Sequence, residues 1–414
     1  MKKLYILTIV FLITTACTTN EKEEQIKLEE TSLAVGSWRG EMEISGSKSP
    51  FNFEVKKNDN QELNVYLLNA EERFLLNNVY IKDDSVVVAI DVYDALLIGK
   101  VVDNTWKGYF RRNEEGTNDV PFSAVHNERY RFSNKIPQSF ESVAGRWAIQ
   151  LIDEKGKVRD AIGVFEQENH ELTGTILGRT GDYRFFEGMV IKDSLFLSAF
   201  SGASPYLIQG KLINDSIFEG NLVTSSSVFT MKGVRNDSLT PENLYELTHV
   251  DNEEGIITFS LPDIDGNIVS LNDERFKNKV VIIPIMGTWC PNCIDEAAFL
   301  VPWYEQNKDR GVEIVAVSFE RKDDFDYART RLNKFIDRLD VSYPVLFGGL
   351  ADKQNVYDKL KGINGVISYP TTIFIGKDGK VHKIHTGFFG PAAKEYYDDF
   401  VISFNTQIDL MLEE

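Results

Sequence analysis

A unit of about 110 residues occurs twice in succession in the first part of this chain. Gly36-Ser37-Trp38 returns as Gly145-Arg146-Trp147, and Val79-Tyr80-Ile81-Lys82 followed by Ser85 returns as Met189-Val190-Ile191-Lys192 followed by Ser194. Leu97-Ile98-Gly99-Lys100 corresponds to Leu207-Ile208-Gln209-Gly210-Lys211, and Trp106-Lys107-Gly108 to Phe218-Glu219-Gly220. Fixed-period self-similarity of this kind marks a duplicated structural unit. Within each copy, short alternating apolar runs (51–55, 63–67, 86–90, 195–200) are separated by polar turns such as Asn58-Asp59-Asn60 and Asn214-Asp215-Ser216. That is the pattern of strands and tight turns, and helical periodicity is absent. Strands so close in sequence pair antiparallel as a meander that curls into a barrel or a sandwich. The expected copies are 35–135 and 136–236. Trp38 and Trp147 are read as aromatic plugs of the two cores rather than as walls of a ligand cavity.

The chain has 414 residues and a formal net charge of -18. A length near three times the usual ~150 residues per domain implies a multidomain protein. So acidic a surface repels phosphate backbones and argues against nucleic acid as a partner. Of the three cysteines, Cys17 belongs to an N-terminal export pattern. Lys2 and Lys3 precede the apolar run 4–13, which is about half of the ~20 residues a membrane span requires. Thr14-Thr15-Ala16-Cys17 then resembles the lipobox of bacterial lipoproteins, with Thr14 where leucine is usual. On this reading 1–16 is a signal peptide, Cys17 carries a lipid anchor, and 17–34 is a solvated tether. The location expected is the bacterial cell envelope, at the outer membrane facing the periplasm. Lys22-Glu23-Glu24 behind the cysteine also resembles a surface-export signal of Bacteroidetes lipoproteins.

Residues 237–255 read as a linker, with a short helix expected over 240–247 because Thr240 can cap and Pro241 suits a first helical position. From residue 256 strands alternate with helices, as in an α/β unit. Val280-Val281-Ile282-Ile283-Pro284-Ile285 is continuously apolar, fit for a strand buried on both faces. It is followed by Gly287-Thr288-Trp289-Cys290-Pro291-Asn292-Cys293, where a helix begins. Cys290 thus stands at a helix N-terminus, where free N–H groups and the helix dipole favour an anion. No other cysteine can pair with Cys290 or Cys293, and a disulfide across so short a loop restrains the unfolded chain little. The pair is therefore read as exchange chemistry rather than structure.

Trp289-Cys290-Pro291-Asn292-Cys293 together with the downstream strand Tyr369-Pro370-Thr371-Thr372 resembles thioredoxin-fold thiol–disulfide oxidoreductases of the TlpA/ResA type. The resemblance covers 256–414. It implies an enzyme in which Cys290 attacks a disulfide and Cys293 resolves the mixed disulfide, with no cofactor beyond the redox-active pair and no metal. It further implies that Trp289, Tyr369 and a cis Pro370 contact substrate, with Cys290 exposed and Cys293 covered. Glu296, three residues after Cys293 and on its helix face, would tune the thiols as the matching acid does in the ResA pattern, or else is a solvated acid of a helix first turn. Asp295 points away and is expected to be solvated. Pro284 stands where thioredoxins bury an Asp, so that strand supplies no carboxylate to Cys293. The implied partners are protein thiols and disulfides of the envelope and a thiol electron donor whose identity the chain does not specify.

Three competing readings have their own signals. In a lipid-anchored adaptor, the β-rich copies would capture a partner or ligand for the redox unit. A thiol peroxidase of the same fold would need Thr three residues before the reactive cysteine; here Thr288 is two before. A zinc site would need two ligands besides the thiols, but His382 and His385 face opposite sides of a strand.

Overall fold

The computed structural model describes residues 32–114, 116–364 and 368–414. The export signal and Cys17 lie outside the described residues. The chain forms two antiparallel β units followed by a thioredoxin-like domain, the fold class expected from the sequence.

The two units share a plan. Each opens with a strand carrying the matched tryptophan, Gly36–Ile44 and Gly145–Ile152. The Trp38 indole donates to the Ala34 carbonyl at 2.8 Å and the Trp147 indole to the Val143 carbonyl at 2.9 Å, the same four-residue reach. Both rings are fully buried, as core plugs should be. The matched glycines also pair across strands: Gly99 faces Gly108 in the first unit and Gly210 faces Gly220 in the second. A Cβ on Gly108 would lie 1.8 Å from the Ile98 carbonyl oxygen and one on Gly220 2.2 Å from that of Gln209, so the close strand approach requires glycine in both copies.

The copies differ in closure. The second is a closed eight-stranded barrel, whereas the first is a nine-stranded sheet whose edge strands, Glu72–Leu76 and Asn78–Lys82, do not pair. At this opening the redox domain docks. Arg338 donates to the Leu75 carbonyl, and the Arg331 guanidinium, almost wholly buried, donates to the Val92 carbonyl at 2.9 Å.

The units are joined through Arg131, whose side chain is 4% exposed. It donates to Leu68 O and Asn69 Oδ1 of the first unit and to Ser198 Oγ and O of the second, at 2.8–3.2 Å. Phe200 of the second unit inserts beside Phe51 and Phe110 of the first, with ring centroids 5.3 and 5.1 Å away. Removing the guanidinium strands several buried acceptors at once, so Arg131→Ala is expected to lower unfolding free energy by roughly 3 kcal/mol. Urea denaturation followed by tryptophan fluorescence measures this.

The C-terminal domain is built on a mixed sheet. Val280–Met286, buried at every position, pairs parallel with Ala316–Glu320 and antiparallel with Thr371–Ile375. Helices α1 (Pro291–Asn307), α2 (Phe325–Leu339) and α4 (Glu395–Glu413) share one core on one face, while α3 (Lys353–Lys359) packs on the other. Helix α1 runs through Pro302 as one helix. The helix expected over 240–247 is absent. That segment lies along the redox domain instead: the Leu244 carbonyl accepts from Thr386 N–H at 2.9 Å, and Thr248 Oγ1 accepts from Thr386 Oγ1 at 2.7 Å. Eight residues gain little from an isolated helix, and tertiary hydrogen bonds offset that gain.

Candidate active site

The site sits where the central strand ends and α1 begins. Gly287-Thr288-Trp289 makes the turn, and Cys290 caps the helix in an extended conformation (φ -99°, ψ 114°), with Pro291 as its first residue. A side chain at Gly287 would run into the Trp289 indole 2.3 Å away, which accounts for glycine there. The Cys290 sulfur accepts the Cys293 N–H at 3.3 Å and its thiol donates to the Tyr369 carbonyl at 3.4 Å. One sulfur is thus held by a free helix N–H from one side and by a main-chain carbonyl from the other. The Tyr369–Pro370 peptide is cis.

Trp289 lies edge-on to Tyr369, with ring centroids 5.3 Å apart, and its indole donates to Phe319 O at 3.0 Å. The Arg321 guanidinium covers its ring at 4.8 Å. Beneath the turn, the fully buried Glu320 carboxylate accepts from Thr288 N–H (3.0 Å), Thr288 Oγ1 (2.9 Å) and Ser318 Oγ (2.7 Å). Glu320 thereby fixes the turn that presents Cys290. It was not singled out from sequence, although an acid directly following a buried apolar strand is a signal that could have found it.

Cys293 and Glu296 lie on the buried side of α1, at 1% and 2% exposure. Burial, and next the adjacent Cys290 sulfur, push the Cys293 thiol well above the ordinary range. Glu296 accepts from Thr372 Oγ1 at 2.7 Å, and burial raises its carboxyl to about 8. Thr372 stands opposite Pro284 in the sheet, so Glu296 is the acid brought to the side of the site where that strand offers none. The reading of Glu296 as a solvated acid is excluded by its burial.

Two expectations are corrected. Asp295 is not solvated: its carboxylate pairs with Arg184 of the barrel at 2.7 Å, and Arg184 also pairs with Glu72 of the first unit. Burial raises Asp295 to about 6 against the pull of Arg184. Cys290 is not open to solvent either. It is 6% exposed. Tyr93 of the first unit is buried in the same core cluster, its hydroxyl without a partner. No local signal could have located Tyr93 or Arg184, since both reach the site from distant units. Among the described residues no group of three or more His, Cys, Asp or Glu could hold a metal ion. His382 pairs with Asp378 and Glu414, and His385 is buried beside Tyr245 and Phe400.

Residues 253–384 match the AhpC/TSA family. The chain is 30% identical over 139 residues to the thiol-disulfide oxidoreductase ResA of Halalkalibacterium halodurans, an alignment covering 32% of this chain and 68% of that protein. The chain belongs to the ResA family of thiol–disulfide oxidoreductases. ResA of Bacillus subtilis is 32% identical over 129 residues, covering 31% of this chain and 64% of that protein. Among solved structures, a thiol-disulfide oxidoreductase from Bacteroides fragilis aligns over 34% of this chain and 96% of its own, at 19% identity and a TM-score of 0.26. The two ResA alignments cover 32% and 31% of this chain, and the family match, residues 253–384, lies wholly after the two β units. In this chain Gly287 and Trp289 stand in the turn, Cys290 caps α1 and Cys293 lies in its first turn, with the Tyr369 carbonyl before the cis proline accepting from Cys290.

Proposed function

We propose that this protein exchanges thiols and disulfides with protein clients in the bacterial cell envelope, running toward reduction or isomerisation. The observation that carries the reading is the Cys290 sulfur at the start of α1, receiving the Cys293 N–H at 3.3 Å. That hydrogen bond holds the Cys290 sulfur at the open first turn of α1, in place for attack. The Cys290 thiolate attacks one sulfur of the client disulfide. A mixed disulfide forms, the client S–S bond breaks, and the departing client sulfur takes up a proton. Cys293 then gives its proton to the Glu296 carboxylate and attacks the Cys290 sulfur. The Cys290–Cys293 bond forms as the second client thiol leaves, so the client gains two electrons and this chain loses two. A thiol donor of the envelope returns the pair to its reduced form. In isomerisation the client's own thiol resolves the mixed disulfide, and no net electrons move.

Trp289 and Tyr369 flank Cys290 and, with cis Pro370, would hold the client segment. Among the described residues no helix is long and apolar enough to cross a membrane. Attachment to the envelope is assigned to a lipid at Cys17, on the motif that precedes it. Incubating the reduced full chain with unfolded, oxidised ribonuclease should convert Cys290 and Cys293 to one internal disulfide while freeing two client thiols. Failure to form that disulfide, or rapid consumption of hydrogen peroxide in preference to the client, overturns the reading and favours a peroxidase.

A further inference from the structure

The β units meet the redox domain along the rim of Cys290, and the contact is built from both sides. The barrel contributes the loop at 178–184, which is held in shape by its own hydrogen bonds, Gly178 N–H to Gly181 O at 2.8 Å and Tyr183 N–H to Ile176 O at 3.0 Å. Phe388 N–H donates to Thr180 O at 3.1 Å, and Gly181 forms a parallel bridge with Phe388. Thr180 Oγ1 donates to Ser368 Oγ at 2.7 Å, directly before the Tyr369–Pro370 pair. Gly390 N–H donates to the Asp182 carboxylate at 2.6 Å. The two backbones cross on glycines. A Cβ on Gly181 would lie 2.2 Å from Asn292 Nδ2, and one on Gly387 2.2 Å from Thr180 O. Asn292 is inside the Cys290–Cys293 motif, so the barrel loop lies against the motif itself.

Arg184 ends this loop and joins all three units, pairing with Glu72 and Asp295 while its side chain is only 12% exposed. On the opposite side, Glu114 of the first unit pairs with Arg321, which lies over Trp289. A folded protein presenting a surface disulfide to Cys290 would have to occupy the space of these loops. A narrow, extended segment or a small disulfide would not.

We propose that the two β units act as a steric selector around Cys290, held by the Arg184 latch and the Thr180–Asp182 contact, so that the clients are extended disulfide-bearing segments of unfolded protein rather than compact folded ones. This rests on the exchange reading above. Both loops approach from outside the redox domain, and the glycine crossings leave no space at Gly181 or Gly387 for a side chain.

The test uses the full chain, with Arg184→Glu to place three acids together and Gly181→Leu to force the loop off Asn292. Each is assayed on a short peptide disulfide and on insulin. The expected result is insulin reduction raised at least about tenfold in both variants, because loss of the Arg184 ion pairs in one and the clash with Asn292 in the other shift a closed population toward open, with peptide reduction within about twofold of the parent. In the unaltered protein, N-ethylmaleimide should label Cys290 far faster than the same maleimide on a polyethylene glycol chain, by a margin at least about tenfold wider than for free cysteine. This second measurement needs no variant and stands if one fails to fold. Equal labelling margins, or insulin and peptide rates that fall together in both folded variants, overturn the selector. Loss of peptide reduction in the unaltered chain would instead sink the exchange reading itself.

Discussion

Cys290→Ser is expected to lower the reduction of a peptide disulfide by at least about 1,000-fold, since removing the attacking atom leaves nothing for the remaining groups to assist. Serine at this position keeps the N-cap role, because its oxygen accepts the Cys293 N–H as the sulfur does. The fold should therefore survive, and thermal unfolding should stay close to that of the parent. Cys293→Ser has a different signature. The first attack proceeds but resolution fails, so a mixed disulfide between Cys290 and the client accumulates and can be seen as a mass shift on a non-reducing gel or by mass spectrometry. If Cys293→Ser turned over at the parent rate with no trapped adduct, Cys293 would not be the resolving thiol. If Cys290→Ser retained turnover, the attacking atom would have been misassigned.

The second large effect concerns Glu296. Its carboxyl is raised to about 8 by burial, against ~4.3 for an exposed glutamate. The folded protein therefore holds a proton that the unfolded chain releases, and stability falls as pH rises through the interval between those two values. By pH 9 the loss attributable to this group is on the order of 5 kcal/mol. Glu296→Gln keeps an oxygen that can accept from Thr372 and has no charge to bury, so its urea midpoint should be nearly level from pH 6 to 9 while that of the parent declines. The same substitution removes the proton acceptor for Cys293. In the parent, resolution should accelerate with pH up to about 8 as the carboxylate form appears; in Glu296→Gln that limb should vanish, with resolution slowed about 100-fold at pH 8. An unchanged pH profile would leave Glu296 as a structural residue only.

Both predictions concern residues legible without coordinates, and the reason is local. The Cys290–Cys293 spacing, the apolar strand before it and the proline that starts α1 act within one turn of chain, where spacing alone fixes geometry. Glu296 was visible as a neighbour of Cys293 on a helix face, but whether it was solvated or functional depended on what the sheet placed against it. Burial beside Thr372 removed the solvated reading. The duplication was equally readable, because matched tryptophans, glycines and turns recur at one period. Closure was not: whether a meander becomes a barrel depends on whether its first and last strands meet. In the first copy, Arg338 of α2 takes the Leu75 carbonyl at the opening.

Composition and pattern by themselves determined two β units, a thioredoxin-like domain and the pair of sulfurs to which the exchange chemistry is assigned. Only the tertiary structure decided what surrounds those sulfurs: Glu320 under the turn, Tyr93 in the core cluster shared with Cys290, and Arg184 tying Asp295 to Glu72. These contacts join residues up to about 220 positions apart, and such pairings depend on how whole domains dock. For the contacts of Tyr93 and Arg184 local sequence carries no periodicity or motif, because the energy that selects them comes from burying surfaces each unit cannot cover alone; Glu320, at the end of a buried strand of its own domain, is the exception.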